Sequence, residues 1–145
     1  LTAEAYGYEF RVRSALSEFV LQLCRNMPCG TERSAGQQSE IDRVRQMLSF
    51  IQTHYTAPIQ VQQIADSAFI SRRECLRSFQ SVIGSSPIQY VIALRLRKAK
   101  QLLLETDLPI LDICAACGFQ NQSYFTKAFR EKTGTTPAQF RKRAR

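Results

Sequence analysis

The chain has 145 residues, an apolar share of 44% and no Trp. That length suits one domain, or one domain with an appendage. No apolar run nears the ~18 residues of a membrane span, and no charged-then-apolar signal segment opens the chain. The net charge is +8, and all of it falls in residues 40–145, where sixteen Lys or Arg face eight acids; residues 1–39 carry four of each sign. A basic surplus confined to one region points to an anionic partner, nucleic acid first, with solvated helix faces as the plainer alternative. Five cysteines, an odd number, without a secretion signal speak against a disulfide framework and for a reducing cytoplasm. Leu1 in place of a starter Met reads as a chain cut from something longer.

Helical periodicity dominates and no alternating strand pattern emerges, so the expected fold is all-α. The first helix expected runs from Glu9 to Met27, where Val12, Leu16, Phe19, Val20, Leu23 and Met27 form one apolar stripe. Pro28 stops it, and residues 28–38, small and polar, read as a linker. The next helix is expected from Ser39, with Asp42 as a capping-box partner, and with Ile41, Val44, Leu48, Ile51 and Tyr55 on its buried face. Thr56-Ala57-Pro58 ends it.

After that point the sequence repeats itself. Gly84-Ser-Ser-Pro-Ile-Gln-Tyr90 returns as Gly134-Thr-Thr-Pro-Ala-Gln-Phe140 at an offset of 50 residues, and Phe79 and Phe129 keep that offset. Ile64-Ala65 matches Ile113-Cys114 at an offset of 49, so the second copy holds one extra residue in its turn. Duplication of one helical unit follows. Each copy has a short helix (Val61 to Ser67; Ile110 to Cys117), a tight turn, and a polar cap (Ser71; Asn121) that opens a second helix. That helix stops at Gly84 or Gly134. Ser86 and Thr136 then cap a further helix with Pro at its first position. After Pro87 this helix is long, reaching Leu104, with Ile88, Val91, Ile92, Ala99, Leu102 and Leu103 partly buried. The expected architecture is two helix-turn-helix subdomains joined by a long linker helix and preceded by one amphipathic helix.

In such a motif the second helix enters the major groove and its N-terminal side chains reach base edges. In the first copy Cys75, Phe79 and Val82 are expected inward, which turns Arg72, Arg73, Leu76 and Arg77 outward. In the second, Phe125, Ala128 and Phe129 face in and Gln122, Ser123, Thr126 and Lys127 face out. Arg matches the acceptor pair of guanine, Gln that of adenine, and Lys reaches guanine or a phosphate. Arg95, Arg97, Lys98 and Lys100 on the linker helix, and Arg130, Lys132, Arg141, Lys142, Arg143 and Arg145 at the C-terminal end, suit phosphates better, with Arg95 the one candidate for a tie into the core. Free N–H groups at the starts of both recognition helices suit phosphates too.

Gly118-Phe119, Ser123-Tyr124-Phe125, Phe129-Arg130, Gly134-Thr-Thr-Pro137 and Phe140-Arg141 resemble the signature of the AraC/XylS family of bacterial regulators. The first copy agrees at Ala65, Ser71, Phe79, Gly84, Pro87, Tyr90, Arg95 and Ala99. The resemblance covers residues 40–145 and implies a seven-helix domain with its two units on successive major-groove turns of double-stranded DNA. It divides the chain into an upstream helical tail with linker (1–39) and a DNA-binding domain (40–145), made of a first unit over about 40–90, a linker helix over about 86–104 and a second unit over about 108–145. Carried over position by position, base contacts fall on Arg73, Leu76, Arg77, Gln122, Ser123 and Lys127. Phosphate contacts are expected from Ser71, Arg72, Arg97, Lys98, Asn121, Thr126, Arg130 and Arg141. Phe69 stands where the family often has Gly, and Cys75 where a core Leu is usual. The stripe over residues 9–27 is similar to the dimerising helix that ends the family's upstream effector domain, so a homodimer through it or through that domain is one candidate, beside a helix that packs only on its own upstream domain; RNA polymerase is a further candidate partner.

Cys114-Ala-Ala-Cys117 has a redox or zinc spacing, but zinc asks for about four ligands, and no second pair and no nearby His follow; buried inert thiols fit better. Cys24 and Cys29, flanking Pro28, are weaker candidates for sensing. No phosphate-cradling glycine loop or nucleophile elbow is found, and His54 is the single His, so neither an enzyme, a cofactor nor a metal is expected. The rival from another class is a basic helical module that binds an acidic protein.

Overall fold

The computed structural model of the chain describes residues 35–144. Among them are seven helices and no strand: α1 (Ala35–His54), α2 (Val61–Asp66), α3 (Arg72–Ile83), α4 (Pro87–Glu105), α5 (Ile110–Ala116), α6 (Gln122–Thr133) and α7 (Pro137–Ala144). The two helix-turn-helix units are α2–α3 and α5–α6, with α4 joining them. The stripe over residues 9–27, Cys24, Cys29 and Arg145 lie outside the described residues.

Helix α1 opens at Ala35, ahead of the expected start at Ser39. Ser39 is therefore inside the helix, and Asp42 accepts from Gln38 Nε2 (3.4 Å) and Arg45 Nη1 (3.1 Å) along its exposed side. The buried line is Val44, Met47 and Ile51; Ile41, Leu48 and Tyr55, expected inside, are half-buried at its edges. Met47 continues the straight i, i+3, i+7 row that meets the core, and Leu48 sits one step off it.

Two cores lie side by side. The first gathers Val44, Met47 and Ile51 with Ile64, Ala65, Ala68, Cys75, Phe79, Val91 and Leu94. The second gathers Leu96, Ala99 and Leu103 with Ile113, Cys114, Cys117, Phe119, Phe125, Ala128 and Phe129. Helix α4 serves both, and the handover falls between Leu94 and Leu96. Two residues turn an α-helix by about 200°, so Val91 and Leu94 face one core and Leu96, Ala99 and Leu103 the other. Leu94 and Leu96, absent from the expected buried set of this helix, mark that change of side.

The sequence repeat has a packing cause. Phe79 meets Tyr90 edge-to-face at 5.8 Å between centroids, and Phe129 meets Phe140 in the same way at 5.5 Å. Ser86 Oγ accepts from Gln89 N (3.3 Å) while Gln89 Oε1 accepts from Ser86 N (3.2 Å). Thr136 and Gln139 make the same reciprocal pair at 3.3 and 3.1 Å. Both are capping boxes, which explains why the hydroxyl, the Pro and the Gln repeat together.

Candidate nucleic-acid interface

The two turns share one hydrogen-bond scheme. Ile70 N donates to Ala65 O (3.2 Å) and Phe119 N to Cys114 O (3.0 Å); Phe69 N donates to Asp66 O (3.1 Å) and Gly118 N to Ala115 O (2.9 Å). Phe69 and Gly118 are thus equivalent, and both are left-handed, with φ of 55° and 82°. The offset of 49 holds through Ile70 and Phe119 and becomes 50 at Ser71 and Asn121, so Gln120 is the extra residue. Ser71 Oγ then accepts from Glu74 N (3.2 Å) and Asn121 Oδ1 from Tyr124 N (2.9 Å). Both caps leave further first-turn N–H groups pointing outward, the arrangement that suits phosphate oxygens.

On α3, Cys75, Ser78 and Phe79 are buried, while Arg72, Arg73, Leu76 and Arg77 are exposed. Arg73, Leu76 and Arg77 stand at i, i+3 and i+4 and share one face. Val82, expected inward, is 40% exposed, and Ile83 packs on the first core instead. On α6, Phe125, Ala128 and Phe129 are buried, Gln122, Ser123 and Lys127 are exposed, and Thr126 is half-buried. An open groove on this outer side is lined by Gln122, Ser123, Thr126, Lys127, Arg130 and Glu131, with Gly134 and Thr136 at its end. Both helices therefore turn an apolar row to their own core and the row of side chains expected to read bases to solvent.

The other basic residues divide. Arg97 and Lys98 on α4, and Arg130 on α6, are exposed. Lys100 is half-buried, and burial, then the nearby Lys132 charge, pushes its ammonium down from the usual lysine value. Arg141, expected on a phosphate, is half-buried, and its Nη2 donates to Leu108 O (2.6 Å), fastening α7 to the segment before α5. Arg43 pairs with Glu74 (side chains 42% and 32% exposed), joining α1 to the first turn of α3, a contact the sequence pattern did not signal. Arg95 is the other core-directed cation: it donates from Nε to Tyr55 O (2.7 Å) and from Nη2 to Ala57 O (2.7 Å), and its Cζ lies 5.7 Å from the centre of the Phe119 ring. Burial lowers its pKa from the ordinary arginine value, partly opposed by Cys117 and Tyr124.

Cys75, Cys114 and Cys117 are buried free thiols. Burial raises all three, and Cys117 is pushed up to about 11, with the neighbouring Cys114 adding to the rise. A thiol held protonated at neutral pH is a poor nucleophile and a poor metal ligand.

Two capped recognition helices, each presented by a short helix and a tight turn and joined through one long helix, define a tandem helix-turn-helix DNA-binding domain. The helix-turn-helix domain family matches residues 64–143, and the chain belongs to the AraC/XylS family of transcription regulators. Its relatives include the regulator CdhR of Pseudomonas aeruginosa, 29% identical over 143 residues (97% of this chain, 42% of CdhR). The melibiose operon regulatory protein of Escherichia coli is 33% identical over 99 residues (68% and 33%). Among solved structures, the DNA-binding domain of AdpA in complex with a target DNA has a TM-score of 0.66 and 29% identity, covering 69% of this chain and 90% of that one. An AraC-type regulator from Chromobacterium violaceum has a TM-score of 0.66 and 32% identity, covering 77% and 98%. The chain spans less than half the length of these curated relatives. Membership in a family of DNA-binding regulators favours DNA over an acidic protein as the partner of the basic helices.

Proposed function

We propose that the chain reads a two-part duplex site, with α3 and α6 in successive major grooves on one face of the DNA, about one helical turn or ~34 Å apart. Arg73 and Arg77 take guanine, Leu76 meets a thymine methyl, Gln122 takes adenine, and Ser123 and Lys127 complete the second half-site. Ser71, Arg72, Asn121, Thr126, Arg130, Arg97 and Lys98 hold phosphates and fix the register. Arg141, with its Nη2 committed to Leu108 O, is assigned to the fold instead. The observation that supports this reading best is the doubled arrangement: two capped helices that each bury Phe and expose groove-reading side chains in the same frame. A relative's DNA-binding domain crystallised on a target DNA supports it as well.

The whole regulator extends the proposal. It would act from the cytoplasm, on the nucleoid, on bacterial promoters. RNA polymerase would be a protein partner, and self-association would run through residues 9–27 or an upstream domain. No enzymatic step is assigned to it.

Selection of bound duplexes from a random pool, followed by titration at two salt concentrations, tests the core of this reading. A log–log salt slope of several units and clear discrimination among duplexes are expected. Arg77→Ala should cost ~1–3 kcal/mol on the selected duplex and relax preference at one base pair. Equal binding to all duplexes would return the rival reading, an acidic protein partner. A footprint confined to one groove would remove the simultaneous engagement of both units.

A further inference from the structure

Two segments far apart in the chain converge on Arg95. The carbonyls of Tyr55 and Ala57 belong to the turn just past the end of α1, in the first unit, and accept its Nε and Nη2 at 2.7 Å each. The Phe119 ring belongs to the turn of the second unit, and Arg95 Cζ lies over it, 5.7 Å from its centre. Beside it, a Cβ on Gly118 would stand 2.6 Å from Thr56 O and 2.7 Å from Thr56 Cα. The backbone of the second turn is thus seated directly on the loop of the first unit. Arg95 itself sits between Leu94 of the first core and Leu96 of the second, where α4 changes side.

We propose that Arg95 is a positioning residue that locks the second unit against the first, and so sets the number of base pairs allowed between the two half-sites. The proposal rests on the two-groove reading above. Its physical basis is effective concentration: two linked binding units gain most when their separation matches the span, and the stiffer the link, the narrower the match. One added base pair displaces a half-site by ~3.4 Å and rotates it by ~35°. A locked pair rejects that displacement, and a pair hinged only on α4 accommodates it. Arg suits this post because its fork reaches two carbonyls while its charged Cζ end lies over a ring, which the single ammonium of Lys cannot do. The site also lies just past the C-terminal end of α1, near the negative end of that helix dipole, which favours a cation there.

The test compares the 145-residue chain with Arg95→Lys and, as a variant that keeps the guanidinium, Phe119→Leu. Each selects duplexes from a random pool, and the spacing between the two half-motifs is read out. The unaltered chain should give one dominant spacing. Both variants should recover the same half-motifs at several spacings. In titrations, the penalty for one inserted base pair should fall from ~10-fold to below ~3-fold, while affinity for a single half-site stays within ~2-fold. Thermal unfolding of each variant is measured alongside. Lower melting with the same single spacing and the same insertion penalty would overturn the proposal and leave Arg95 a purely structural residue. If the unaltered chain selects no two-part motif, the two-groove reading itself fails, a result distinct from unchanged spacing in the variants.

Discussion

The two helix-turn-helix units close their turns with the same hydrogen bonds, yet they place opposite kinds of residue at the left-handed position. In the first unit it is Phe69, at φ 55° with 93% of its surface exposed. In the second it is Gly118, at φ 82° and in contact with the Thr56 backbone. A non-glycine residue in this region costs about 1–2 kcal/mol, a cost the first unit tolerates because nothing packs on its turn to add a clash. The second turn has a neighbour, and there only a residue without Cβ fits. The following residues differ to match: Ile70 is half-buried, while Phe119 is 5% exposed and lies under Arg95. The local turn geometry is therefore common to both copies, and the residue it admits is decided by what covers it.

The comparison can be broken at the cores, where the copies are most alike. Phe129→Ala and Phe79→Ala each empty a fully buried ring site facing an aromatic partner, and each should cost ~3–5 kcal/mol in denaturant unfolding. A midpoint that moves for one and not the other would show that the two cores are not equivalent.

The turns sharpen it with a difference of sign. Gly118→Ala forces a methyl into the Thr56 backbone at a left-handed φ and should destabilise by ~2–4 kcal/mol. Phe69→Gly removes strain at an exposed site, against the greater chain entropy of Gly, and should stabilise by roughly 0.5–1 kcal/mol. The same sign for both would show that the turn residues are not governed by their neighbours.

A smaller effect separates the units by pH. Cys117 in the second turn has its thiol pushed up to about 11, from an ordinary value of 9.0. Above pH 9 the unfolded thiol ionises while the folded one keeps its proton, so the stability tied to that proton is fully present below pH 9 and is lost as pH rises through about 11. The melting temperature of the unaltered chain should fall across this window more steeply than that of Cys117→Ala; parallel curves would mean that this thiol contributes nothing.

The outward faces of α3 and α6 were legible in the sequence because each lies along a single helix. Arg73, Leu76 and Arg77, and Gln122, Ser123 and Lys127, were assigned outward from the spacing of the apolar residues between them, and all six are exposed. Val82 keeps the apolar phase yet stays 40% exposed, because phase near a helix end does not ensure that the core reaches it. By sequence Arg141 is one more cation in a basic run; its bond to Leu108 O depends on where α7 lies against the segment before α5, which no local pattern encodes.

What the sequence determined alone is what a few consecutive residues can enforce: helical period, caps, glycine stops, and a unit written twice. These are set by hydrogen bonds and burial within a turn or two of backbone. The crossing of α4 from one core to the other, the Arg95 bonds that span 40 and 38 residues, and the demand for glycine at position 118 but not at 69 were decided by tertiary structure. They depend on which distant surfaces meet, and that follows only when both cores are packed around a single shared helix.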